Sequence, residues 1–181
     1  MKITYNSPVI LTYAVISIAA LMFFPGSVIL AFFSSPAHFS FKDPFFYFRL
    51  VSYIAGHGSW AHLTGNMTII LLVGPLLEEK YGSGKLLEMI LATAVATAII
   101  NALLFPESLV GGSGVAFMLI LLASFSNIKA GEIPLTFILI AVIYFGGELI
   151  TALRADNVSQ FGHITGGLIG AGYGFVRGGG K

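Results

Sequence analysis

Gly111-Gly112-Ser113-Gly114 stands between two apolar runs: Leu103-Leu104-Phe105-Pro106 closes the run before it, and Val115 opens the next, which continues to Ala123. A hydroxyl flanked by glycines just ahead of an apolar segment reads as a serine nucleophile at the start of a membrane helix. Glycine lets backbone N–H groups and a substrate approach the hydroxyl without a Cβ in the way. A helix start also presents N–H groups without intrahelical partners and the positive end of the dipole, which together favour developing negative charge. The plainer reading of the same residues is a small-residue turn between two membrane helices, with Ser113 as N-cap.

Composition supports the membrane part of either reading. The chain has 181 residues, of which 56% are hydrophobic and 9% charged, against about 25% charged in soluble domains. The net charge of +1 recommends no nucleic acid. With no cysteine, disulfides, thiolate metal sites and a cysteine nucleophile are excluded together. Met1-Lys2 leads directly into a long apolar segment without a convincing cleavage site, so that segment reads as a first span rather than a signal peptide.

Spans need about 20 mainly apolar residues. Working outward from Ser113, six candidates appear, at about 8–33, 51–77, 86–105, 113–125, 133–150 and 161–176. Residues 34–49, interrupted by Pro36, Asp43 and Pro44, are too broken to span, and 78–85 reads as a polar loop. The expectation is an all-α membrane protein with six transmembrane helices forming one domain over 1–181. An even number of spans puts both termini on one side, with Lys2, Lys80, Lys85, Lys129, Arg177 and Lys181. Lys42, Arg49 and Arg154 fall on the other, so the positive-inside rule places both termini in the cytoplasm.

Polar groups in membrane helices are functional hypotheses by default. The second span carries His57, His62 and Asn66. His62 and Asn66, four apart, share a helical face, whereas His57 on the same helix would point elsewhere. Interhelical hydrogen bonding is the plainer role for all of them. The sixth span carries His163 at the head of a stripe of Gly166, Gly170 and Gly174, which would allow very close helix approach. A serine, a histidine on a tightly packed helix and a His/Asn pair on a third suffice for acyl transfer. His163 would be general base toward Ser113 and later general acid toward the leaving amine. The Asn66 amide, the His62 ring N–H and the Ser113 backbone N–H would hold the oxyanion. No aspartate plainly orients His163, so a dyad is expected.

These residues carry a resemblance. His57-x4-His62-x3-Asn66, Gly111-Gly112-Ser113-Gly114 and Gly162-His163-Ile164-Thr165-Gly166, in that order and each on its own span, resemble the motifs of the rhomboid intramembrane serine proteases. The likeness is closest to the compact six-helix prokaryotic form and covers roughly residues 48–175. It implies a rhomboid-like bundle with a membrane-embedded first loop. It implies Ser113 as nucleophile, His163 as base, His62 and Asn66 at the oxyanion positions, Gly166 and Gly170 as packing glycines, and Glu78 as a buried carboxylate tying helix ends together. Gly114 and His57 fall near the site.

Three departures stand out. Phe48-Arg49 occupies the place of a common Trp-Arg in the first loop, Phe117 that of a tyrosine packing on the catalytic imidazole, and Gly112 that of a commoner apolar residue. None removes a catalytic group. The resemblance further implies transmembrane protein substrates admitted from the lipid bilayer past the span at 133–150, a capping loop at 154–162, a cell-membrane location, and no cofactor or metal. The alternatives are a non-catalytic rhomboid-like protein binding transmembrane clients, or a small transporter using His57, His62 and His163 as a relay.

Overall fold

The computed structural model describes residues 5–125 together with Leu135, Ile138, Leu139, Val142, Gly167, Leu168 and Gly172. Apart from those isolated positions, the expected spans at 133–150 and 161–176 lie outside the described residues, and so do His163, Gly166 and Gly170.

The described residues are helical, with no strand among them. They form α1 (Pro8–Phe23), α2 (Gly26–Phe32), α3 (Pro44–Ser52), a 3-10 turn (Tyr53–Ala55), α4 (Trp60–Tyr81), α5 (Ser83–Leu104) and α6 (Ser113–Phe125). Of these, α4 and α5 are long and apolar enough to cross a membrane. Residues Val115 to Leu122 of α6 are all buried. A helix apolar all round must be buried all round or face lipid, and α6 is enclosed, packing chiefly on α4 and also on α5.

Several expected boundaries move, each for a local reason. The apolar run 8–33 is two helices, because Pro25 lacks an N–H and disfavours helix at the residue before it. Phe24 is accordingly extended, with φ −108° and ψ 135°. The second long helix begins at Trp60 rather than near residue 51: Gly56 and Gly58 interrupt the apolar run, and the Ser59 side chain accepts from the His62 N–H as N-cap. Residues 78–81 are helical rather than loop, and Gly82 alone separates α4 from α5. At 34–49 the expectation of a non-spanning segment fits, since α3 has only 9 residues.

Glu78 explains why a polar stretch is helical. Its side chain is 3% exposed and its carboxylate turns inward. One oxygen accepts from Ser7 Oγ at 2.7 Å and the Ile10 N–H at 3.1 Å; the other accepts from the Val9 N–H at 2.9 Å and Ser83 Oγ at 2.7 Å. The carboxylate thereby caps the first turn of α1, where dipole and orphan N–H groups favour an anion, and ties it to the start of α5.

Candidate functional site

The site is built at the opposite end of the α4–α5 pair, where residues 105–112 lead into α6. The first intrahelical bond of α6 runs from the Ala116 N–H to the Gly112 carbonyl at 2.9 Å. Gly112 is thus the capping residue and Ser113 the first helical one, rather than Ser113 being the N-cap. Ser113 is half-buried.

The loop is pinned along its length. The Asn101 side chain donates to the Glu107 carbonyl at 2.6 Å. Leu109 is held twice by Ser35: its N–H donates to Ser35 Oγ at 2.8 Å, and its carbonyl accepts from the Ser35 N–H at 2.8 Å. Arg49 of α3 holds this stretch in turn, donating to the carbonyls of Ser34 and Ser35 at 2.8 and 2.9 Å and to Ser34 Oγ at 2.8 Å. Arg49, marked by the sequence as part of a first-loop motif, therefore bears on the serine loop through Ser34 and Ser35. Finally, the Gly111 N–H donates to the Tyr53 carbonyl at 3.0 Å.

Gly111 joins the serine loop to α4. Its φ is +125°, a conformation that favours glycine, and a Cβ there would lie 2.7 Å from His62 Cε1, 2.8 Å from His62 Nε2 and 3.5 Å from Asn66 Nδ2. The His62 ring and the Asn66 amide therefore converge on the residue two before Ser113. Asn66 is 8% exposed and His62 half-buried.

His57 corrects the expectation that it points elsewhere. That angular argument assumed a shared helix, but His57 precedes the Ser59 cap and the chain folds back. It is 1% exposed. Its Nδ1 lies 3.2 Å from the Ala55 carbonyl and its Nε2 3.1 Å from Asn66 Nδ2. A carbonyl only accepts, so Nδ1 carries the proton and Nε2 accepts from the Asn66 amide. His57 also meets the His62 ring edge-on, centroids 5.1 Å apart. The Gly-x-Gly-Ser run at 56–59, a loop ending in a good N-cap, is the signal that could have revealed this.

One turn into α6, a Cβ at Gly167 would collide with the Phe117 ring. A residue from the expected sixth span thus lies directly on α6 one turn after Ser113. Gly167 rather than Gly166 or Gly170 is the described glycine at this contact. Among the described residues, a Cβ at Gly114 would meet nothing within 4 Å.

A family model described as Rhomboid domain matches residues 44–179, three quarters of the chain. The chain belongs to the rhomboid family. Rhomboid membership implies a membrane helical bundle, in keeping with the all-helical architecture. Among similar proteins, Rhomboid protease GluP of Bacillus subtilis (strain 168) is 33% identical over 68% of this chain and 24% of its own length. Rhomboid-related protein 1 of Caenorhabditis elegans is 28% identical over 71% of this chain and 39% of its own. Rhomboid-like protein 15 of Arabidopsis thaliana is 29% identical over 71% of this chain and 36% of its own. The chain thus matches between about a quarter and two fifths of these rhomboid relatives.

Proposed function

We propose that this chain is an intramembrane serine endopeptidase that cleaves transmembrane segments of membrane proteins through a Ser113–His163 dyad. The observation that carries the reading is the close approach of Gly111 to the His62 ring and the Asn66 amide. It brings two rhomboid motifs, distant in sequence, to the start of one helix. Rhomboid membership and the likeness to a protein named a rhomboid protease support the class of activity.

The third motif follows from spacing. Gly167 rests on Phe117. In the sequence His163 stands four residues before Gly167 and Ser113 four before Phe117, the spacing that would align the two if the expected sixth span is helical and runs parallel to α6. In the proposed reaction His163 takes the Ser113 proton as Oγ bonds to the scissile carbonyl carbon. His62 and one Asn66 N–H stabilise the resulting oxyanion; the other Asn66 N–H is engaged by His57. Collapse breaks the C–N bond, and the amine leaves with the proton from His163. Water, activated by the same imidazole, then hydrolyses the acyl-enzyme and restores Ser113.

The rest of the proposal concerns setting. The chain is a single six-span domain over 1–181 in the cell membrane, with both termini cytoplasmic. The first loop dips into lipid, in keeping with the exposed rings of Phe41, Phe45, Tyr47 and Phe48. Substrate helices enter past the span at 133–150, and helix-weakening residues near the cut would ease unwinding. No cofactor takes part.

The test is cleavage of a model transmembrane substrate in proteoliposomes. Wild type is expected to cut within the membrane segment, with Ser113→Ala and His163→Ala inactive. Equal cleavage by Ser113→Ala would overturn the proposal.

A further inference from the structure

The rhomboid match begins at residue 44, yet a side chain from α1, well before it, touches the serine loop. Tyr13 is 8% exposed, and its hydroxyl donates to the Ile54 carbonyl at 2.7 Å. A Cβ built at Gly112 would collide with that hydroxyl and lie 3.4 Å from Tyr13 Cζ. Gly112 is the departure from the commoner apolar residue before the serine, and Tyr13 fills the room that its side chain would take.

The backbone completes the connection. The Tyr53 carbonyl accepts from the Gly111 N–H at 3.0 Å, and the next carbonyl, that of Ile54, accepts from Tyr13. Tyr53 is itself fixed by its hydroxyl, which donates to the Ala94 carbonyl of α5 at 3.1 Å. One short segment therefore holds the serine loop on one side and Tyr13 on the other. Behind Tyr13 lies an apolar cleft of about 560 Å³, bordered by Val9, Ile16, Phe33, Val51 and Ile90. The ring is not wedged from that side, so its bond to Ile54 matters to where it sits.

We propose that Tyr13 is a positioning residue for the Ser113 nucleophile: its ring fills the space beside Gly112, and its hydroxyl holds the peptide segment from which the serine loop hangs. The inference rests on Ser113 being the nucleophile. Tyr13 touches no reacting atom and acts through Gly112 and residues 53–54.

The experiment is a double-mutant cycle. The full-length protein in detergent is reacted with a fluorophosphonate, and rate constants are compared per folded molecule for wild type, Tyr13→Phe, Gly112→Ala, the double variant and Ser113→Ala. Gly112→Ala, which drives a methyl into the Tyr13 hydroxyl, is expected to slow labelling about 100-fold, the scale of a displaced reacting group. Tyr13→Phe loses one hydrogen bond and is expected to slow it about fivefold. Because Tyr13→Phe also removes the colliding oxygen, the double variant should recover to within about threefold of Tyr13→Phe alone. A double-variant loss equal to the product of the single losses would overturn the proposal, as would single variants that label at the wild-type rate. A wild type no more reactive than Ser113→Ala would instead overturn the nucleophile reading and this one with it.

Discussion

Two helix joints of this bundle look alike in outline and differ in what they hold. Among the described residues, positive φ occurs at two glycines, Gly82 between α4 and α5 (83°) and Gly111 ahead of α6 (125°). At Gly82 a Cβ would meet nothing within 4 Å among the described residues, whereas at Gly111 it would run into the His62 ring. The first joint needs glycine for its backbone alone; the second needs it for backbone and room. The nearby polar groups differ in the same sense. Beside Gly82, Glu78 accepts four hydrogen bonds from groups of its own chain. Beside Gly111, Asn66 shares its amide with His57 and keeps a second N–H for another acceptor. One joint is saturated and structural; the other keeps donor capacity at a helix start.

The comparison predicts that damage at the Gly111 joint slows chemistry and damage at the Gly82 joint lowers stability. The largest effect is expected for Asn66→Ala, which should lower kcat for a transmembrane substrate by about 10²–10³, the scale of losing one oxyanion donor. KM should stay near wild type and stability should fall only by about the 1–3 kcal/mol of the stranded His57 Nε2; a loss confined to stability would break the comparison. Gly111→Ala should cost about 10² in kcat by shifting His62 and the serine loop, read in the same assay.

At the other joint, Glu78→Gln leaves an amide group where a carboxylate oxygen accepted two bonds. It should destabilise the fold by about 2–6 kcal/mol, from one to three for each of the two stranded donors. Detergent-titrated unfolding measures that loss, while kcat of the folded fraction should stay within a few-fold. Gly82→Ala is expected to be the mildest change, about 1–2 kcal/mol of backbone strain, because its Cβ meets no described residue within 4 Å. A kcat loss there as large as that of Gly111→Ala would erase the distinction between the joints.

The same contrast shows what the sequence made legible. The start of α6 at Ser113 was readable because glycines give way abruptly to an apolar run. Charge pattern alone puts Glu78 in a polar loop, while the family resemblance already implies a buried carboxylate tying helix ends together, and the carboxylate does turn inward to meet Ser7, Val9, Ile10 and Ser83. The pairing of His57 with Asn66 is hidden by an apolar run whose pattern carries one helix through both. The fold-back at Gly56 and Gly58 is a matter of chain path, invisible to helical periodicity. Tyr13 carried no signal, since one aromatic among the apolar residues of a first span looks like any other until Gly112 lies beside it. His62, Asn66 and Ser113 could be picked out because polar groups are costly in such a setting, but their approach to one another rests on the loop bonds made by Arg49, Ser35 and Tyr53.

The most direct test is to locate the covalent label. The purified protein would be treated with a fluorophosphonate, digested and mapped by mass spectrometry, beside Ser113→Ala and His163→Ala. The label is predicted on Ser113 alone, lost in both variants, with Glu78→Gln still labelled when folded. Label on another residue, or on Ser113 at an undiminished rate without His163, would contradict an activated serine at the Gly111 joint.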